Sequence, residues 1–177
     1  MSAKVYHTAL LLAGCLAFAS AQARDEQYAK AQLAIADVDG FSDGLALVGT
    51  YGMKLPQVHP QFSVEGEITT TISDPDTSVA GNTLEVSYYT LAAYAVYTHP
   101  VTDRVDLFGR GGLLYEDVSV DYYHPLLGKY SDSETDLGLS FGVGTNVALK
   151  ENLDFTAALT IIESDINHLS AGVHFRF

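Results

Sequence analysis

Apolar and polar residues along this chain alternate one by one rather than in helical turns. The final nine residues are the clearest case: Leu169, Ala171, Val173, Phe175 and Phe177 interleave with Ser170, Gly172, His174 and Arg176. Successive side chains of a strand point to opposite faces, so this stretch predicts a strand with one apolar and one polar or small face. Residues 137–149 repeat the pattern, with Leu137, Leu139, Phe141, Val143 and Val147 set against Gly138, Ser140, Gly142, Gly144 and Asn146. In residues 62–70, Phe62, Val64, Gly66 and Ile68 alternate with Ser63, Glu65, Glu67 and Thr69. Weaker versions fall at 29–35, 45–55, 105–115 and 153–161. Residues 84–97 read as strand from their Tyr and Val content, but either face of that stretch fits as the apolar one. The pattern predicts about eight strands of roughly ten residues, the length that crosses a bilayer at a tilt.

The connections alternate as well. Short links are expected at 55–60, 99–103 and 150–152, and long polar links at 37–43, 72–83, 116–136 and 163–167. Short then long is the rhythm of outer-membrane barrels, which have periplasmic turns on one rim and extracellular loops on the other. Charge sorts the same way. The long links carry Asp37, Asp39, Asp43, Asp74, Asp76, Glu116, Asp117, Asp121, Asp132, Glu134, Asp136, Glu163 and Asp165 against Lys129 alone, while Lys54, Arg104 and Lys150 lie by the short turns.

Residues 1–23 stand apart. One Lys (Lys4), an apolar run from Ala9 to Ala19 and then Ala21-Gln22-Ala23 make a charged start, a short hydrophobic core and a small-x-small cleavage site, a secretory signal peptide. The core is too short for a transmembrane helix. Cleavage is expected after Ala23, leaving residues 24–177 as one domain. Leu12-Ala13-Gly14-Cys15 also resembles a lipoprotein lipobox, which would lipidate Cys15, although the apolar residues after it are unlike the usual polar tether.

Composition narrows the class. The net charge of −13 argues against a nucleic-acid partner, because such partners demand a basic face. Beyond the leader no apolar run is long enough for a helical span, and 11 Tyr and 8 Phe are too many aromatics for a disordered chain. Cys15 is the single cysteine, so neither an internal disulfide nor a cysteine-based zinc site is expected. A closed barrel can also be a soluble cup with its apolar face inward. The polar face here is rich in Gly and Ser, which suits a crowded lumen. The apolar face carries aromatics near strand ends (Tyr51, Tyr115, Phe155, Phe175, Phe177), where interfacial girdles form. The fold expected is all-β: a closed, antiparallel, up-and-down transmembrane β-barrel of about eight strands.

The terminal strand, with Phe175 and Phe177 closing a series of alternate apolar positions, resembles the signal by which bacterial outer-membrane barrels are recognised for assembly. The wider chain, residues 28–177, resembles the small outer-membrane β-barrel family that includes the transmembrane domain of outer-membrane protein A and adhesin/invasin-type barrels. Residues 44–71, with Phe62-Ser63-Val64-Glu65-Gly66-Glu67, look like that family's second hairpin half. The resemblance implies a Gram-negative outer membrane as location, and lipopolysaccharide and the barrel-assembly machinery as partners. It specifies fold better than function.

Strand phase sends Glu65, Glu67, Arg110, His174 and Arg176 inward, together with Lys30 and Gln32. Charges buried in a narrow lumen need partners, so an ion-pair network is expected, with Glu65 accepting from Arg110 or Arg176. Its bland role is a structural plug; the sharper alternative is a narrow, porin-like ion path. His168-Leu169-Ser170 places a His and a Ser on one strand face and resembles the His-x-Ser pair of lipid A deacylases. No acid follows in that family's order, however, and the pair points inward, so an enzyme is the weakest alternative. His59, His99 and His124 lack metal-ligand spacing, no cofactor motif is present, and Gly109-Arg110-Gly111-Gly112 sits within a strand pattern. The long link 116–136, with Tyr122, Tyr123 and Tyr130 among its acids, is the candidate surface for a protein partner; its carboxylates also suit Ca²⁺ or Mg²⁺ bridging lipopolysaccharide phosphates. The role expected is that of a structural or surface-interaction barrel with a plugged lumen and acidic extracellular loops.

Overall fold

A computed structural model of the chain describes residues 26–38, 42–74, 76–79, 82–124, 128–162 and 166–177, with backbone only at 38, 76–79, 82–85, 121–124, 128–131 and 166. The leader boundary at Ala23 and Cys15 lie outside the described residues. The described strands are β1 (Gln27–Val38), β2 (Gly44–Lys54), β3 (Phe62–Ser73), β4 (Asp76–Val79), β5 (Asn82–Thr102), β6 (Val105–His124), β7 (Gly128–Lys150), β8 (Leu153–Ile162) and β9 (Ile166–Arg176). Each of the eight long strands pairs antiparallel with its neighbours in sequence. β3 pairs directly with β5, and β9 returns to β1 over Tyr28↔Arg176 through Val38↔Ile166, so an eight-stranded sheet closes on itself. Closure removes the sheet edges that lipid could not satisfy. The short β4 lies outside the ring, paired to the far end of β5.

One rim holds the short connections, including the two-residue turns at Asp103-Arg104 and Glu151-Asn152. In the first of these, Thr102 Oγ1 accepts from the N–H groups of Arg104 and Val105 at 3.2 and 3.1 Å. Between Lys54 and Phe62 a longer turn closes through Val58 and His59 N–H donating to Leu55 O.

Alternation sorts the faces. Leu33, Ile35, Leu91, Leu113, Leu139, Phe141, Val143, Leu159 and Leu169 are exposed on the outer wall, and their strand neighbours of opposite parity are buried inside. In β5 the inward set is Val86, Tyr88, Thr90, Ala92, Tyr94 and Val96, with Leu91 and Tyr97 outward, which supplies the phase that composition left open. Tyr51, Tyr97, Phe155 and Phe175 are exposed toward the short-turn ends of their strands, and Tyr115 is exposed midway along the long β6; such aromatics suit a girdle at the headgroup level. Inward rings are admitted by inward glycines. A Cβ on Gly52 would stand 2.1 Å from the Tyr28 ring, and one on Gly144 would stand 2.4 Å from Phe108.

The link expected at 116–136 is instead mostly strand. β6 and β7 stay paired from Val105↔Val147 out to His124↔Gly128, so β5, β6 and β7 run 21, 20 and 23 residues, about twice the bilayer-crossing length. Above the membrane both faces of a sheet meet water. The apolar half of the pattern therefore disappears while the hydrogen-bond ladder continues. Four-residue β4 falls within the long link expected at 72–83 for the same reason.

Candidate functional site

The lumen is the part of the molecule where chemistry is concentrated. β1 brings Tyr28, Lys30 and Gln32 inward, β3 brings Ser63, Glu65 and Glu67, and β6 brings Phe108 and Arg110, all of them buried. Lys30 Nζ donates to Glu65 Oε1 at 2.6 Å, and the Tyr28 hydroxyl donates to the same oxygen at 2.8 Å while lying 2.9 Å from Ser63 Oγ. Arg110 grips Glu67 with both ends of its guanidinium: Nη1 donates to Oε2, and Nη2 to Oε1 at 3.2 Å. Nη1 also reaches Glu65 Oε2 at 3.5 Å, Nη2 donates to Thr160 Oγ1 at 2.8 Å, and Thr50 Oγ1 donates to Glu67 at 3.1 Å. Aromatic faces complete the cations' surroundings, Tyr94 under Arg110 at 4.3 Å and Phe108 under Lys30 at 4.5 Å. Two cations thus meet two carboxylates in a charge-neutral layer, each bridged and hydrogen-bonded, which is the condition for holding ions out of water.

Arg176 is not a partner of Glu65. As the penultimate residue it stands at the short-turn rim with its side chain 30% exposed. There Nη2 donates to Asp154 Oδ1 at 2.9 Å and to Glu151 O at 3.0 Å. His174 belongs to this rim group too, edge-on to Tyr28 at 4.7 Å and with Nδ1 3.2 Å from Asp154 Oδ2. Between rim and central layer lies a cavity of about 210 Å³ lined by Lys54, Asp106, Asn146 and His174, among others. Asn146 Oδ1 and His174 Nε2 have no hydrogen-bond partner among the described residues, and neither does Arg110 Nε in the central layer. The Lys30–Glu65–Arg110–Glu67 layer is thus the more deeply buried of the two charge clusters.

Beyond that layer, away from the short-turn rim, the lumen mixes apolar and polar groups, with Thr90, Glu116 and His168 buried among the aliphatic side chains. Ala34, Ala36, Ala46, Val48 and Tyr88 form one buried cluster, and Leu114 and Ile162 belong to a second with Tyr94 and Phe108. His168 and Ser170 are both inside, facing away from lipid. His168 stacks on Tyr88 and shares a 2.6 Å hydrogen bond with its hydroxyl. Ser170 Oγ accepts from Gln32 Nε2 at 3.0 Å and donates to Ala158 O at 3.4 Å. Each of the two is thus committed to a partner other than the other. Among the described residues no group of three or more His, Cys, Asp or Glu is placed to hold a metal.

Phe175 and Phe177 meet edge to face at 5.2 Å on the outer side of β9. Tyr122, Tyr123 and Tyr130 lie in the outer reaches of β6 and β7, with Tyr122 paired to Tyr130, and their side chains lie outside the described residues. Sequence reasoning missed Asp154, Tyr94 and the Tyr88–His168 pair. The parity of β8 and β9 carries Asp154 and His168, whereas Tyr88 and Tyr94 hang on the phase of β5.

A closed sheet with an apolar outer belt, aromatic ends and an ion-paired interior defines an integral outer-membrane β-barrel. The family model for the outer membrane protein beta-barrel domain matches residues 8–177, and the chain belongs to that family. Neisserial surface protein A is similar in structure, with 21% identity and a TM-score of 0.63 over 85% of this chain and 96% of that one. The N-terminal barrel domain of Pseudomonas aeruginosa OprF matches at 14% identity and a TM-score of 0.57 over 88% and 100%. The Yersinia pestis attachment invasion locus protein Ail matches at 16% identity and 0.55 over 86% and 97%. No curated protein matches the sequence at a significant level. The location is the outer membrane of a Gram-negative bacterium.

Proposed function

We propose that this protein is a closed structural barrel that displays a surface for interaction, not a pore and not an enzyme. The observation that carries the reading is the charge-neutral layer of Lys30, Glu65, Arg110 and Glu67 across the lumen. A passing ion would have to break these buried charge pairs. His168 and Ser170 are read as satisfied lumen groups. Phe175 and Phe177 are read as the strand end that the assembly machinery recognises. Planar-bilayer recording of the refolded protein tests the reading: wild type and Glu65→Gln should both lack steady conductance. Steady conductance whose selectivity changes with Glu65→Gln would establish an ion path instead.

The surface role falls to the extension of β5, β6 and β7 with Tyr122, Tyr123 and Tyr130, whose partner is a protein or the lipopolysaccharide layer. One Ail structure was solved with the heparin analogue sucrose octasulfate. Here the extracellular connections carry many acids against the single cation Lys129, which disfavours a polyanion. Cell binding should disappear on deletion of residues 121–131 and should be insensitive to competing heparin. Binding that survives the deletion would remove the hairpin from the account.

A further inference from the structure

Toward the end furthest from the short-turn rim, β7 is paired on one side only. It pairs with β6 all the way to Gly128 but with β8 only as far as Ser140, so among the described residues the stretch 128–139 has an open edge. The phase of the ladder tells which groups lie on that edge. Ala148 N–H donates toward β6, to Arg104 O at 2.8 Å, and the register from there to Gly128 is unbroken. Antiparallel pairing alternates the direction of backbone groups, so the N–H groups of the odd-numbered residues 131–137 face the open side. Such a row is a template for a further strand.

Two of these N–H groups are already taken. Ser133 N–H donates to Asp132 Oδ1 at 3.0 Å, and Leu137 N–H donates to Asp136 Oδ1 at 2.7 Å. Asp132, Glu134 and Asp136 are exposed at alternate positions and so share one face of the strand. A second copy of the chain adding antiparallel about a two-fold axis at Thr135 would set Ser133 against Leu137 and Glu134 against Asp136. That arrangement opposes like charges directly and needs the very N–H groups the two aspartates hold.

We propose that Asp132 and Asp136 guard this edge, occupying its N–H groups so that a second copy of the chain cannot extend the sheet there. The extracellular hairpin then offers its faces and tip, not its edge, to partners. The inference does not depend on whether the lumen conducts. Residue-resolved amide exchange and sedimentation of the protein in lipid nanodiscs or detergent test it, with heat-dependent gel mobility confirming that each variant forms a barrel. In wild type, Ser133 and Leu137 amides should exchange more slowly than that of Thr135, and the protein should sediment as a monomer. Asp132→Ala/Asp136→Ala should speed both amides severalfold and produce a concentration-dependent dimer. Asp132→Asn/Asp136→Asn, which keeps an acceptor oxygen while losing charge, should retain slow exchange and remain monomeric. Unchanged exchange in the alanine variant, an alanine variant that stays monomeric, or an asparagine variant that dimerises would overturn the proposal.

Discussion

Arg110 is the residue on which the lumen's other charges converge. It binds Glu67 with both arms of its guanidinium, touches Glu65, donates to Thr160 and lies over the Tyr94 ring. Removing one member of a buried ionic cluster strands the rest, at a cost of about 3–5 kcal/mol. Arg110→Ala should therefore lower unfolding stability by that amount in urea titrations of the refolded barrel. Arg176→Ala, at the half-open rim, should cost far less, and equal losses would show that the central layer is no more strongly coupled than the rim. Lys30→Met combined with Glu65→Gln should be less damaging than the sum of the two single changes, because each single change leaves the other charge unpaired. At this scale the sequence was only half legible. Strand parity placed Glu65, Glu67 and Arg110 on the inner face. Parity says nothing of height within the barrel, so it could not separate Arg176, which meets Asp154, from Lys30, which meets Glu65.

β7 shows how one strand serves two environments. From Leu137 to Leu149 its outward residues are Leu, Phe and Val, and Leu137 is 75% exposed, which only a lipid solvent makes comfortable. From Gly128 to Asp136 it carries Asp132, Glu134 and Asp136 and remains strand. Val143→Arg should cost about 2–4 kcal/mol, as a charge on the lipid face near the bilayer centre does. Thr135→Arg, above the belt, should change stability by no more than about 0.5 kcal/mol. Unfolding of the two variants in lipid vesicles checks the contrast, and equal penalties would move the membrane boundary. This boundary is what misled the reading of residues 116–136 as a link. A strand is recognised in sequence by the contrast between its two faces, and that contrast exists only where one face meets lipid. Beyond it, the backbone ladder persists without a hydropathy signature.

At the scale of the whole molecule, closure was the most legible property. The alternation of faces, the short and long connections and the aromatic strand ends all follow from wrapping a sheet inside a bilayer, so several independent signals carried the same message. What the barrel does for the cell leaves no such redundant trace, because interaction surfaces sit in the connections, where composition is set by water and by partners. The claim beneath all of this is that the aliphatic wall faces hydrocarbon and the Tyr94–Arg110 side faces the lumen. The chain has no Trp, so single-tryptophan variants report cleanly. Quenching by lipids brominated along their acyl chains should be strong for Leu139→Trp and weak for Tyr94→Trp in the refolded protein. Strong quenching of the tryptophan at position 94, with the one at position 139 left bright, would turn the barrel inside out and contradict the account.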